Sequence, residues 1–320
     1  MIQMKKFRWA YVGPGHIAES TAKSILKGNH EITAVYGRTY SKAQAFAEKH
    51  GARAYESFGE LLSSGNFDAL YIATPHTAHV EYAVKALEAH IPVLCEKPVG
   101  VSASDVELLI KTARENDTYF AEAMWTWFSD TALGVKKWVK DEAVGKVEKV
   151  EIHYAFNGLA KSPESRVRNP MTAGGALLDI GIYPITYCYN LFGYPDKITC
   201  EGEIRDGIDV NEKITLTYGS TVCELYISFE YLKEMFTLKG TKGKIYIPAF
   251  HVSPYALMTG KKGLKLTFGK TTYLNEFDRC AEEIRAGKKE SAYIPFEATL
   301  SCMKIMDECR RQMGLKYPFE

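Results

Sequence analysis

The chain has 320 residues, of which 46% are hydrophobic and 25% charged, with a formal net charge of +1. That balance excludes a disordered chain and gives no basic footprint for nucleic acid, and no apolar stretch approaches the roughly twenty residues that a membrane helix needs. The length predicts two domains, because a single core seldom keeps growing to this size.

The basic amino terminus, Met1 to Arg8, runs into an apolar segment without the features of a signal peptide, so export is not expected. Phe7 to Val12 reads as a buried strand. The turn Gly13-Pro14-Gly15-His16-Ile17-Ala18 follows at once, and Ile17, Thr21, Ala22, Ile25 and Leu26 then recur at helical spacing until Gly28. A G-x-G-x-x-[GA] string is weak evidence alone, but a strand before it and a helix after it make it the fingerprint of a dinucleotide site. Gly13 permits the tight turn, Gly15 lets backbone approach a pyrophosphate, and Ala18 permits close packing of helix on strand. The amides that open the helix, at His16 and Ile17, face the phosphates.

Strand and helix patterns continue to alternate. Glu31 to Tyr36 reads as a strand, Ala43, Phe46 and Ala47 mark a helix ended by Gly51, and Ala69 to Ala73 is a buried strand. A helix from about Thr77 to His90 leads to a strand at Pro92 to Cys95, Ser104 with Glu107 predicts a capping box, and Tyr119 to Ala123 supplies another strand. This rhythm implies a doubly wound parallel sheet with ligands at the carboxyl ends of its strands. At the end of the second strand an acid would bind the adenosine ribose hydroxyls; Tyr36-Gly37-Arg38-Thr39 stands there instead, followed by Ser41 and Lys42. Two cations and two hydroxyls suit a 2′-phosphate, so NADP is favoured and NAD remains open.

After Trp125 the pattern changes. Val147 to Phe156, Lys197 to Arg205, Glu212 to Tyr218, Thr221 to Glu230, Met235 to Lys239, Lys244 to Pro248 and Leu264 to Phe268 read as strands, many joined by glycine-containing turns, with helices at Asp130 to Lys140, Tyr183 to Leu191 and Ala298 to Arg310. The fold class expected is therefore α/β plus α+β: a Rossmann dinucleotide-binding domain over residues 1–124 and, over 125–320, a domain built on a mostly antiparallel open sheet. Helices cover one face of that sheet, and a second subunit covering the other would make a homodimer or homotetramer. The seven cysteines form no C-x-x-C pair, which points to a reducing cytoplasmic setting, and no metal-ligand cluster accompanies His76 and His79.

Five segments in order, GPGHIA, TPHTAH at Thr74 to His79, VLCEKP at Val93 to Pro98, EAMWTWF at Glu122 to Phe128 and GGALLDIGIYPI at Gly174 to Ile185, resemble the Gfo/Idh/MocA oxidoreductases across nearly the whole chain. Within that family the EAMWT and DIGIYP segments look most similar to the dimeric dihydrodiol dehydrogenase and glucose-fructose oxidoreductase branch. The resemblance implies hydride transfer between a nicotinamide and a secondary alcohol or carbonyl of a sugar, polyol, diol or related small molecule. It also implies that Thr74, Pro75, His76, Glu96 and Lys97 lie on the cofactor side, that the lysine of the EKP motif, Lys97, is catalytic, and that the Asp-x-x-x-His motif of the family stands here as Asp179 and Tyr183.

Alcohol oxidation needs a proton acceptor beside the reacting carbon. Tyr183 is assigned that proton, with Lys97 as a nearby cation lowering the phenol's pKa, and reversed roles stay open. Asp179 orients a substrate hydroxyl or Lys97. Trp125 and Trp127 are candidate walls of the substrate pocket, and Arg168, in a polar loop with Arg166 and Asn169, is a candidate substrate contact. Two other readings compete: an NAD-dependent inositol or sugar dehydrogenase, and a non-catalytic dinucleotide sensor on the same fold.

Overall fold

The computed structural model describes residues 5–260, 263–269 and 272–320, so the first four residues of the basic amino-terminal stretch lie outside the described residues. Phe7–Val12 forms β1, whose Trp9, Ala10, Tyr11 and Val12 are wholly buried. The chain then runs through α1 (His16–Ile25), β2 (His30–Tyr36), α2 (Tyr40–His50), β3 (Arg53–Tyr55), α3 (Phe58–Ser63), β4 (Ala69–Ile72), α4 (His76–Glu88), β5 (Val93–Glu96), α5 (Ala103–Glu115) and β6 (Phe120–Ala123). The six strands pair in parallel in the order β3-β2-β1-β4-β5-β6. The order reverses between β1 and β4, whose carboxyl ends flank the crevice where such sheets take their ligands. Ser57 with Glu60 forms a capping box at α3; α5 begins at Ala103, which puts Ser104 inside its first turn rather than at its N-cap.

The chain continues with α6 (Asp130–Lys140), β7 (Val147–Ala155), α7 (Ile182–Phe192), β8 (Lys197–Arg205), β9 (Ile208–Tyr218), β10 (Thr221–Ser228), β11 (Lys233–Gly240), β12 (Gly243–Pro248), β13 (Tyr255–Gly260), β14 (Gly263–Phe268), α8 (Tyr273–Arg285) and α9 (Phe296–Met313). The eight strands form one sheet in the order β14-β13-β12-β11-β7-β10-β9-β8, antiparallel except for the parallel pair β7 and β10. Cys223, Leu225 and Ile227 alternate into its core, as does the pair Val150 and Ile152, while α7 packs on β7 and β10. A five-residue π-helical stretch, Leu177–Gly181, leads directly into α7. Among the described residues, no helix is long and apolar enough to cross a membrane.

Contacts divide the chain into two units, and the division is not a single cut near residue 124: Thr272–Phe296 belongs to the first unit and Val101–Ala103 to the second. Packing explains the return. The wholly buried Phe277 of α8 places its ring 4.8 Å from that of Trp9 and 4.9 Å from that of Tyr71. Burying such a side chain is worth about 1.5–3 kcal/mol, and these partners are supplied by β1 and β4.

Candidate functional site

In the first unit the ends of β1, β2 and β4 enclose a cleft of about 240 Å³ lined by Gly13, Pro14, Gly15, Tyr36, Gly37, Arg38, Thr39, Lys42, Ala73, Thr74 and Pro75, with Val12 and Tyr82 behind them. The sequence-predicted cofactor residues Gly13, Gly15, Arg38, Thr39, Lys42, Thr74 and Pro75 thus share one cavity. Gly13 has φ +88°, and a Cβ on it would lie 2.8 Å from Thr74 Cγ2 and 2.9 Å from the Ala73 carbonyl. A Cβ on Gly15 would meet no heavy atom nearer than Gly13 O at 4.0 Å, so the space above that residue is open. Gly15 is also the N-cap of α1 and offers no side chain to its first amides, which leaves them for a ligand or water.

These residues fit a dinucleotide. Thr74 Oγ1 is buried in the cleft wall with no hydrogen-bond partner among the described residues, a donor and acceptor awaiting one. None of the described lining residues is acidic, whereas Arg38 and Lys42 are exposed at the mouth. His16 opens α1, with Ile17 next to it, and His76 opens α4, where it is buried with its ring 6.0 Å from that of His79.

Lys97 follows β5 and is half-buried. Its loop is tied to β4 through His79, whose Nδ1 lies 2.8 Å from Pro98 O and whose Nε2 lies 2.7 Å from Thr74 O. Glu96 is buried and accepts a hydrogen bond from the Tyr71 hydroxyl at 2.5 Å. Burial raises the Tyr71 phenol well above its ordinary value, and the Glu96 carboxylate raises it further. Glu276 of α8 lies in the same core with neither carboxyl oxygen hydrogen-bonded among the described residues. Its burial, and then Glu96, lift its pKa well above the ordinary carboxylate range.

The sign of that shift gives a test. A carboxyl that holds its proton more tightly in the native state stabilises at low pH, and the contribution is lost as pH rises from the unfolded pKa toward the native one. Glu276→Gln, which cannot ionise, is therefore expected to raise Tm relative to the native chain at about pH 8 and to change it little at about pH 4 to 5. Thermal melts at the two pH values check this; equal shifts at both would contradict it.

In the second unit Asp179 sits in the π-helical stretch, buried, and accepts a hydrogen bond from Arg166 Nη2 at 2.8 Å. Arg166 is thus one partner of Asp179. Arg168 donates instead to the carbonyls of Leu159 and Lys161, both at 3.0 Å, and braces its own loop. Tyr183 is 8% exposed in the first turn of α7, with its ring 5.7 Å from Tyr154 and 5.6 Å from His251. His251 was not singled out by sequence reasoning. Its Nδ1 lies 2.5 Å from Glu234 Oε1, and its ring stacks on Tyr154. Trp127 is buried, with its indole N–H donating to Thr186 O at 3.1 Å; Trp125, in the first unit, packs on Tyr273 at 4.8 Å.

Fold and cleft define a dinucleotide-binding protein of the Rossmann type. Residues 7–123 match the oxidoreductase family with an NAD-binding Rossmann fold, and residues 132–246 match the GFO/IDH/MocA C-terminal domain. The chain is 32% identical to the trans-1,2-dihydrobenzene-1,2-diol dehydrogenase of Danio rerio, covering 97% of this chain and 98% of that protein. It is 26% identical to the D-xylose 1-dehydrogenase (NADP(+)) of Hypocrea jecorina, covering 97% and 93%. A 3-ketoreductase from Actinomadura kijaniata, solved in complex with NADP and TDP-benzene, has the same fold, with a TM-score of 0.86 at 20% identity over 97% of this chain and 98% of that one. The chain belongs to the Gfo/Idh/MocA oxidoreductase family and is an NAD(P)-dependent enzyme acting on CH–OH groups.

Proposed function

We propose that this protein is an NADP-dependent dehydrogenase or reductase acting on a secondary alcohol or carbonyl of a sugar, polyol or diol, with Lys97 and Tyr183 handling the proton. The observation that carries the cofactor half is the cleft mouth, where Arg38, Thr39 and Lys42 stand and no lining acid competes for the ribose hydroxyls. A 2′-phosphate would take charge-assisted hydrogen bonds from that trio. The relatives named above act on a dihydrodiol and on D-xylose, which supports a polyhydroxylated substrate.

When bound, the nicotinamide would supply or accept the hydride. The chain's own part is the proton: Tyr183 takes it from the substrate hydroxyl or returns it to the carbonyl oxygen, and Lys97 as an ammonium favours the ionised phenol and hydrogen-bonds that oxygen. Asp179, oriented by Arg166, would fix a substrate hydroxyl. Trp125, Trp127 and Arg168 shape the substrate side from behind, since Trp127 and Arg168 are tied to backbone carbonyls.

We also place the enzyme in a reducing, cytoplasmic setting, in keeping with seven free cysteines, and as a homodimer or homotetramer through the large sheet, where Leu264, Leu266 and Phe268 of β14 stand exposed. Light scattering reads the subunit number.

The cofactor assignment has its own test. Arg38→Ala is expected to weaken NADP binding by about 10- to 100-fold, the worth of one charged hydrogen bond of about 1.5–3 kcal/mol, and to leave NAD binding within about twofold. Fluorescence titration with each cofactor measures both; equal losses for the two, or none for NADP, would remove the 2′-phosphate argument.

A further inference from the structure

Beneath the segment that carries Asp179 lies a pair of carboxyl groups with no part in the chemistry assigned so far. Asp209 and Glu212 stand three places apart on β9, where strict alternation would send them to opposite faces. A bulge prevents this. Pairing with β8 runs from Glu203 opposite Asn211 to Ile204 opposite Asp209, so Val210 is the extra residue and the two carboxyl groups return to one face. Asp209 is wholly buried and Glu212 is 4% exposed.

One oxygen of Asp209, Oδ2, accepts the Leu177 N–H at 2.5 Å, at the first residue of the π-helical stretch. The other faces the chain just before it: a Cβ on Gly175, which holds φ +129°, would lie 2.1 Å from Oδ1. The second glycine of the GGALLDIG motif is therefore the seat of a buried carboxylate. With Val210 looped out, Asp209 and Glu212 are neighbours on that buried face, and each carboxyl bears on the other's titration. Neither oxygen of Glu212, nor Oδ1 of Asp209, meets a hydrogen-bond donor among the described residues. With Oδ2 of Asp209 occupied by Leu177, the three remaining oxygens of the two buried carboxyl groups are best satisfied when one group keeps a proton and gives it to the other.

We propose that Asp209 and Glu212 share a single proton and act as positioning residues, the carboxylate of Asp209 fixing the start of the Leu177–Gly181 stretch and so the register of Asp179 and Tyr183. The functional consequence rests on the reading that Asp179 and Tyr183 serve the reaction. Other titratable groups face the pair. Cys200 approaches from β8, Cys309 from α9 and Tyr317 from the carboxyl-terminal residues, with Arg310 and Glu320 next to Tyr317. Arg310 is held elsewhere, with Nη2 on both Glu320 oxygens at 2.5 and 2.6 Å and Nη1 on Val101 O at 2.9 Å. Burial raises both groups, but Asp209 accepts the Leu177 N–H whereas neither oxygen of Glu212 accepts a hydrogen bond among the described residues, so Glu212 is the partner that carries the proton. Its contribution to the native state is present at low pH and fades as pH rises toward the raised value.

The test uses the full chain near neutral pH. The infrared spectrum of the native protein minus that of Glu212→Gln should contain the band of one protonated carboxyl. Amide exchange at Leu177 should be about tenfold or more faster in Asp209→Ala and unchanged within about twofold in Glu212→Gln, which keeps a neutral donor facing Asp209. In Asp209→Ala kcat should fall about tenfold or more while NADPH affinity stays within about twofold, because that cofactor's cleft is built in the other unit. No lost carboxyl band, or unchanged Leu177 exchange in Asp209→Ala, would overturn the proposal. If Asp209→Ala does not fold, the Glu212→Gln spectrum decides alone. Should Tyr183→Phe prove fully active, the functional reading falls, yet the spectrum and the exchange still judge the carboxyl pair.

Discussion

Replacing Tyr183 by Phe is expected to lower kcat by about 10²- to 10⁴-fold, the range over which a positioned acid or base contributes. The loss should be chemical. A phenylalanine ring keeps the packing that Tyr183 makes with Tyr154 and His251, at 5.7 and 5.6 Å between centroids, so the thermal melt should stay close to that of the native protein. NADP(H) affinity should also be kept, since the cleft that holds Arg38 and Thr74 is lined only by residues of the first unit. Steady-state rates over a panel of aldoses, polyols and diols, followed by nicotinamide absorbance, check this. A variant with native kcat on the best substrate would remove Tyr183 from the chemistry.

The second large effect belongs to the turn after β1. Gly13→Ala places a Cβ at a φ of +88° and within 2.8–2.9 Å of Thr74 Cγ2 and the Ala73 carbonyl. Strain of that backbone and overpacking together are expected to cost about 2–5 kcal/mol of stability, and dinucleotide affinity falls with it because the cleft walls must move apart. Gly15→Ala makes the informative contrast. Its Cβ enters open space, so the fold should hold while the dinucleotide is excluded from the room above the turn. Melting curves and cofactor titrations on both variants separate the two roles; a Gly13→Ala protein as stable as the native one would contradict the geometry.

Much of this architecture could be read locally. The β1 turn and the following strands announce themselves because each carries its own period and its own turn residues, and β8 occupies Lys197–Arg205 as the alternation indicates. Elements too short to show a period were missed, β3 with three residues and α3 with six, and so were β13 and the thirteen-residue α8. Nothing local marks α8 as part of the first unit, because Phe277 finds Trp9 and Tyr71 only through the tertiary fold.

The site was legible to the same degree. Gly13, Arg38, Lys42 and Thr74 follow from the parallel βα pattern, which gathers strand ends. Arg166 as a partner of Asp179, and His251 beside Tyr183, depend on loops whose course no periodicity encodes. Asp209 was hidden for a further reason: the bulge at Val210 breaks the two-residue period, so alternation begins the strand at Glu212, whereas β9 starts at Ile208.

The central claim is that Lys97 and Tyr183 serve one proton-transfer step, and a double-mutant cycle on kcat with saturating NADP(H) tests it most directly. Groups that act as a unit lose their effect together, so Lys97→Met with Tyr183→Phe should be within about tenfold of the worse single variant. Losses that multiply in the double variant, or a Lys97→Met enzyme with native kcat, would contradict the account.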